Sequence, residues 1–580
     1  MPTSVSTLHP VRDSQERVDE KSFQKVLGSR SKSHEELFSM DPEKAIDSSS
    51  CSTYTDEVTL SGDSPAAAKQ DSNMVDWDSP DDLKNPEEAI NSSSCSTYTD
   101  EVTLSGDSLA AAKQDPNIVD WDGPDDPKNP QNWCPRKKWS IIWTIGAVAL
   151  ITPMGSSFFA PGVPQVMKAF HEESLTLSTF VVSVYLLGFA IGPLVVAPMS
   201  ELYGRRLIYN VNNVLFVIFS IACAASTSMG MLIAFRFLAG CAGSAPMTLG
   251  GGSIADMFPR EQRARATVIW ALGPLLGPVV GPICGGYLVR ITVWRWVFWT
   301  IAMFAGLSSV IFFFVGEETY HPIILARKTE ALRKETGNTN LRSKLASDLP
   351  PKEIFVRAIV RPTKMLIMSP IVGLMSLYVA INYGILFLFF TTVTFVFEDQ
   401  YGFSSSAVGL TFIGFGIGLL AGVVILGLSS DKNIIKHQNN GGAKPEHRLM
   451  LRFTVPGAIS LPIGVLVYGW ATYYKVHWIV PIIFTSFIGL GNLIAMMTIQ
   501  TYLVDAFTVH AASAIAASTV LRSIFGAFLP LAGRDMYKAL GLGWGNSVLG
   551  FLSLAVIPVP ILFRVYGEKI RTNPKWQVQF

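Results

Sequence analysis

From Lys138 onward the chain is a succession of twelve apolar segments, each near the roughly 20 residues an α-helix needs to cross a bilayer. Their limits read 139–159, 176–197, 207–225, 231–252, 267–289, 296–315, 367–391, 406–428, 450–470, 477–499, 511–532 and 544–563. In hydrocarbon each such segment must satisfy its own backbone N–H and C=O groups, and a helix does so within the segment. The predicted fold class is an all-α membrane protein with twelve transmembrane helices in two six-helix halves. The composition agrees: 49% hydrophobic and 16% charged residues are too apolar a mix for an average soluble domain. A net charge of +1 gives no electrostatic case for a nucleic-acid partner. Residues 134–316 form the first half and 365–565 the second. A basic loop, 317–364, separates them, and 566–580 is a short C-terminal tail.

Loop charges set the orientation, because Lys and Arg collect on the cytosolic side. With the N-terminus inside, the inner loops hold 26 Lys and Arg and the outer loops six. Both termini and the central loop are therefore expected in the cytosol. The plasma membrane is the expected location, with the vacuolar membrane as the alternative. The start, Met1-Pro-Thr-Ser-Val-Ser-Thr, has neither the basic cap nor the apolar core of a cleavable signal peptide.

Residues 1–133 have the opposite character. Positions 41–132 carry 21 Asp and Glu against five Lys, too polar a segment to bury a core, so a disordered tail is expected. It contains a tandem repeat: 45–88 recurs as 89–132 with 36 of 44 positions identical. A duplicated disordered segment and a doubled docking or phosphorylation site both fit. The six cysteines show no CxxC or metal-ligand spacing and are expected to be free. No Gly-x-x-x-x-Gly-Lys-Ser/Thr phosphate loop is present, which argues against an ATP-driven pump; enzyme motifs are absent too, so neither an enzyme nor a cofactor is expected.

The fifth segment carries the least ordinary chemistry. Gly273-Pro274, Gly277-Pro278 and Gly281-Pro282 recur every four residues and lead into Gly285-Gly286. In water each proline would break the helix, by removing a donor and clashing one turn back. In a membrane, neighbouring helices can satisfy the freed carbonyls. Four-residue spacing keeps the glycines on one side, drifting about 40° per step. That side is nearly bare, so another helix can approach closely.

The motifs resemble one family. Ala197-Pro-Met-Ser-Glu201-Leu-Tyr-Gly204-Arg205-Arg206 is similar to the loop motif of the major facilitator superfamily, Gly-x-Leu-x-Asp-x-x-Gly-Arg-Arg, with Ala for Gly and Glu for Asp. Gly277, Gly281, Pro282, Gly285 and Gly286 fit that superfamily's antiporter motif, Gly-x-x-x-Gly-Pro-x-x-Gly-Gly. Trp121-Asp-Gly-Pro-Asp-Asp, Arg236-Phe-Leu-Ala-Gly240, Trp294-Arg-Trp-Val-Phe-Trp299, Glu318-Thr-Tyr320, Lys444-Pro-Glu-His-Arg-Leu449 and Tyr502-Leu-Val-Asp505 resemble fungal twelve-span drug:proton antiporters, over about 117–570. Glu317 stands where that family usually has Pro.

The resemblance implies proton-coupled export of diverse apolar or amphipathic drugs and toxins by alternating access. The partners would be small-molecule substrates, protons and the bilayer, with a monomer as the working unit. A narrower reading is an exporter of polyamines or of one endogenous secondary metabolite; a scaffold signalling through its tail belongs to another class. Glu201, Gly204, Arg205 and Arg206 are expected to latch the two halves, with Glu201 pairing with one of the arginines. Arg236 and Arg522 each place a charge inside a span, at a cost of roughly 2.5–3.5 kcal/mol or more. With Asp505 they are the proton-coupling candidates, although a structural hydrogen-bonding role also fits Arg236. No Asp or Glu lies mid-span. Asn382, Tyr383, Phe387 and Phe390 on the seventh span, and Asn492, Met496 and Gln500 on the tenth, are the candidates for a central substrate cavity, because aromatic and Met faces adapt to loosely specified ligands.

Overall fold

The computed structural model describes residues 117–259, 262–346, 350–439, 449, 454–573 and 576. The tandem repeat up to 116, the basic motif 444–448 and the end of the C-terminal tail lie outside them. Eleven helical stretches among the described residues are long and apolar enough to cross a membrane, and the last, Ala511–Thr572, holds two crossings. The result is the twelve-helix membrane architecture expected from the sequence.

The first six crossings are α1 (Pro135–Ser157) with a short α2 (Val163–Ala169) beyond it; α3 (Leu175–Tyr203); α4 (Arg205–Ala224); α5 (Met229–Gly243) continued by α6 (Ala245–Met257); α7 (Arg263–Ile291); and α8 (Arg295–Val315). Two helices follow outside the spans, α9 (His321–Thr336) and α10 (Pro351–Met368). The second six crossings are α11 (Pro370–Tyr401), α12 (Ser405–Asn439), α13 (Thr454–Tyr473), α14 (Ile479–Ala506), α15 (Ala511–Phe528) and α16 (Gly533–Val556), and α17 (Pro558–Thr572) closes the chain. Ser174 and Ser228 start α3 and α5 by accepting the Leu177 and Met231 N–H groups, which satisfies orphan donors of the first turn.

The breaks follow from sequence. Pro246 one residue inside α6 forces the interruption at Ser244 within the fourth crossing. Pro530 ends the eleventh crossing in a 3-10 turn, so it stops at Phe528 rather than 532. Gly541, at φ 73°, kinks α16 and sets the start of the twelfth.

Helix packing here cannot rely on apolar burial, since lipid is as apolar as Leu, so small residues carry the close crossings. The α3–α5 crossing brings Gly188 and Gly240 together: a Cβ on Gly240 would stand 3.2 Å from the Gly188 Cα. The corresponding pair in the other half, α12 on α14, uses Gly418 and Gly489 against Ser486 and Phe415 in the same way. Across the halves, α7 packs on α12 and α3 on α15. The tight contacts of this seam are Gly286 with Ser405 and Gly409, Gly416 with Val279, Gly526 with Leu186, and Arg534 with Ser178. They run from the face where α7 ends to mid-membrane. On the other face, which carries the α9–α10 connection, α10 packs on α3 and α15.

Two expectations are corrected. The segment 317–364 is not a plain loop: most of it is α9 and α10. The tail is not disordered up to 133. Residues 118–119 pair in parallel with 342–343, forming a two-stranded ribbon. Lys328 on α9 has its ammonium buried under this segment. It donates to the Asp120 carbonyl and pairs with Asp122 (2.6 Å) and Asp126 (3.4 Å), while Lys344 pairs with Asp120. The bond from Lys344 holds the Asp120 carboxyl below its ordinary pKa. The acids that made this stretch look like tail are the ligands that fasten it. Among the described residues Cys134, Cys223, Cys241 and Cys284 are free.

Candidate functional site

The Gly-Pro run occupies the middle of α7 with Pro274, Pro278 and Pro282 all inside a continuous helix. Its glycines form a ridge against α1. A Cβ on Gly273 would meet the Gly146 carbonyl oxygen at 2.7 Å, and on Gly277 the Leu150 oxygen at 2.8 Å. On Gly281 it would meet Ser157 Oγ at 2.5 Å and the Met154 oxygen at 3.1 Å, and on Gly285 it would run into the Phe158 carbonyl. The next residue turns to the other half, where a Cβ on Gly286 would meet the Ser405 oxygen at 2.5 Å. Gly409 answers from α12, where a Cβ would meet the Pro282 oxygen at 2.6 Å. One helix is thus held backbone to backbone between α1 of its own half and α12 of the other.

The loop motif sits on the basic face, and its pairing differs from the one predicted. Gly204 has φ 96°, a conformation that favours glycine, and a Cβ there would strike the Glu318 carboxylate. Glu318 caps α4: Oε1 accepts the Arg205 N–H (2.9 Å) and Oε2 the Arg206 N–H (3.2 Å), a favourable place for an anion at a helix start. The Arg205 guanidinium pairs with Asp256 at the end of α6 (2.5 Å) and lies under the Tyr320 ring. Arg206 donates to the Phe313 carbonyl. Glu201 therefore pairs with neither arginine. Its carboxylate lies in the field of Arg205 and of Arg361 on α10. Sequence reasoning missed Asp256 altogether, and it read Glu318 only as part of a motif. A lone carboxylate at the end of a span, Asp256, was the available signal. Glu317, the departure from the family pattern, pairs with Lys137 (2.6 Å).

His321 joins this corner, its ring edge-on to Trp121 at 5.8 Å. Burial, foremost, holds the imidazole below its ordinary pKa; Asp256 pulls it up and Arg205 pushes it down. The unfolded chain therefore takes the proton first on acidification. The corner's stability is fully present above about pH 6.5 and is lost as the pH falls below it. His321→Gln should flatten the decline in melting temperature between pH 7 and pH 5.5; an unchanged decline would place the acid sensitivity elsewhere.

Arg236 is 1% exposed and answers the problem of a charge in a span without a carboxylate. It donates to the carbonyls of Gly155 (3.5 Å), Ser156 (3.2 Å) and Val182 (3.3 Å), with the rings of Phe159, Tyr185 and Phe298 around it. Gly155 and Ser156 lie in the last turn of α1, where carbonyls lack helical partners and a cation is favoured. A cavity of about 10 Å³ beside the guanidinium, lined by Tyr185, Phe216 and Cys223 among others, has room for about one water. Arg236 thus belongs to the interior of the first half.

In the second half the structure separates the cavity candidates. Asn382 is turned away: its Oδ1 accepts the Ser553 hydroxyl of α16 (3.0 Å), so it packs the half rather than facing a cavity. Tyr383, Phe387 and Phe390 form a chain of rings with centroids 5.0 and 5.4 Å apart. Arg522 joins it, its guanidinium over Tyr383 at 5.2 Å and its Nη1 donating to Met496 Sδ at 3.4 Å. Asn492 is buried and Gln500 half-buried on the same helix as Met496. Asp505 sits half-buried at the basic-face end of α14, away from this group.

Residues 145–530, more than half of the chain, match the family profile described as the Major Facilitator Superfamily. The MFS-type transporter penM of Penicillium rubens is 56% identical over 90% of this chain and 94% of its own. The efflux pump radE of Floropilus chiversii is 47% identical over 92% of each chain. A D-xylose-proton symporter of known structure is similar in fold, with TM-score 0.54 at 17% identity over 74% of this chain and 97% of that one. A helical bundle with interrupted and glycine-ridged crossings, and relatives at this identity over nearly their whole length, lead to one conclusion: the chain belongs to the major facilitator superfamily of multi-pass membrane transporters.

Proposed function

We propose that this transporter exports small apolar or amphipathic molecules from the cytosol across the plasma membrane, in exchange for protons. The observation that carries the reading is the glycine ridge of α7, clamped between α1 and α12 where an antiporter motif is expected. The similarity to the Floropilus chiversii efflux pump supports the direction. The concentration of Lys and Arg on the α9–α10 face supports a cytosolic placement of that face. Alternating access is then a rocking of α1–α8 against α11–α16, and the seam described above corresponds to the state closed toward the outside. The Arg205–Asp256–Glu318 cluster fixes α4, α6 and the entry to α9 as one block, and Glu201 facing Arg361 supplies the latch between that block and α10.

Proton coupling falls to the carboxylates at the span ends, with Glu201 and Asp505 first, and Arg236 tunes the first half without releasing its proton. A polyamine cargo fits poorly, because a polycation would need carboxylates mid-span and the spans hold arginines there instead. Expression in a pump-deficient host, challenged with a panel of apolar toxins with and without a protonophore, tests the reading. Protection that the protonophore removes is expected. Protection against one chemical class only would narrow the cargo to a single metabolite type, and undiminished efflux under the protonophore would overturn proton exchange.

A further inference from the structure

Arg522 has the same problem as Arg236 and an unfinished answer. Its residue is 8% exposed, deep within α15. A guanidinium carries five N–H donors and always bears charge. Where Arg236 directs its donors to three carbonyls, Arg522 has one thioether sulfur, a weak acceptor, and the face of Tyr383. Its Nε, like that of Arg236, is buried with no hydrogen-bond partner, so the difference lies in the remaining donors, and among the described residues the charge acting on it is that of Tyr383. One turn before it on the same helix face, Ser518 Oγ is also buried without a partner. One turn after it, Gly526 backs onto Leu186 of α3 as well as Tyr383. The face that carries Ser518, Arg522 and Gly526 therefore looks into the seam between the halves.

A charge held in a low-dielectric seam with unused donors is completed by an anion, and a guanidinium fork matches a carboxylate in two parallel hydrogen bonds. The surroundings, Tyr383 and Met496 with Phe387 behind, would take an apolar body. We propose that the seam binds its cargo as an apolar organic acid in anionic form, with Arg522 as the charge partner and Ser518 as a second donor. This rests on the proposed efflux function, with its cargo held between the two halves.

The test uses the full chain in detergent at pH 7.5 and a panel of apolar carboxylates with their neutral amides: 1-naphthylacetate, biphenyl-4-carboxylate and dodecanoate. The carboxylates should raise the melting temperature at concentrations about tenfold or more below those the amides need, the scale of a charge-assisted pair. Arg522→Gln should erase that preference. Arg522→Lys, which keeps the charge but not the fork, should retain part of it, and Ser518→Ala should weaken it a few-fold. Equal shifts by acids and amides, no shift by any acid, or an acid preference that survives in Arg522→Gln would each overturn the proposal. If Arg522→Gln does not fold, the graded loss in Arg522→Lys and Ser518→Ala decides. In proteoliposomes, acids that bind but are not moved by a proton gradient would sink the efflux reading and leave the site. Gradient-driven movement of neutral compounds with no acid preference would do the reverse.

Discussion

Gly281→Leu is expected to insert and fold as twelve crossings yet transport at about one tenth of the normal rate or less. The added side chain has no room. Its first carbon alone would stand 2.5 Å from Ser157 Oγ and 3.1 Å from the Met154 carbonyl of α1. Overpacking of this kind costs about 1–3 kcal/mol, and α7 can escape it only by moving off α1. The same helix carries the Pro282 and Gly286 contacts with α12, so displacement from α1 disturbs the seam on its other side. A rocking transporter samples both states of that seam each cycle, and a penalty of 1.4 kcal/mol on one state is a tenfold shift in its population. Gly281→Ala should fall between. Gly306→Leu on α8, where a Cβ would meet nothing within 4 Å, is the matched control and should transport normally. Initial rates in proteoliposomes at equal insertion are the measurement. Normal rates for Gly281→Leu would reduce the ridge to packing without a role in the cycle.

Asp256→Asn should have the second large effect, on stability as well as transport. The Arg205 and Asp256 side chains are 14% and 13% exposed, so the substitution leaves a nearly buried guanidinium without its counter-charge. Breaking a buried pair by removing one partner costs about 3–5 kcal/mol, and the residual exposure puts this case toward the lower value. The melting temperature should drop clearly. The double variant Arg205→Gln with Asp256→Asn should recover part of the loss, since the two residues form one interaction. Glu201→Gln separates stability from the latch. Glu201 takes no part in the Arg205–Asp256 pair, so its neutral variant should melt near the normal temperature while altering transport. A Glu201→Gln protein as unstable as Asp256→Asn, or Asp256→Asn melting normally, would contradict this division of roles.

What the sequence could show follows from how local each signal was. Twelve apolar runs, the prolines that interrupt them and the four-residue glycine period are properties of single segments, so the crossings and the bare side of α7 could be read directly. The partners were not legible. Which carboxylate meets Arg205 depends on α4, α6 and the start of α9 converging, and the intervening sequence contains nothing that ranks Asp256 above Glu201. The nearer acid was the natural choice, and it was the wrong one. The stretch 117–133 was misjudged for a related reason. Its composition is that of a tail, and order comes from Lys328 and Lys344, about 200 residues later. Asn382 looked like a cavity residue because it is polar in an apolar span, yet helix rotation, which a run apolar on all sides leaves unspecified, points it at Ser553. Arg236 and Arg522 were recognised as costly alike. Only the neighbouring groups distinguish them: three carbonyls accept from Arg236, and one thioether sulfur accepts from Arg522.

A proton gradient should drive cargo between the two halves against the cargo's own gradient. Purified protein in proteoliposomes, loaded with a cargo found in the host panel and given an imposed pH difference, tests it most directly. Uphill cargo movement opposite in direction to a measurable proton flux is expected, abolished by a protonophore and by Gly281→Leu. Cargo movement that only follows its own gradient, at a rate indifferent to the pH difference, would contradict it.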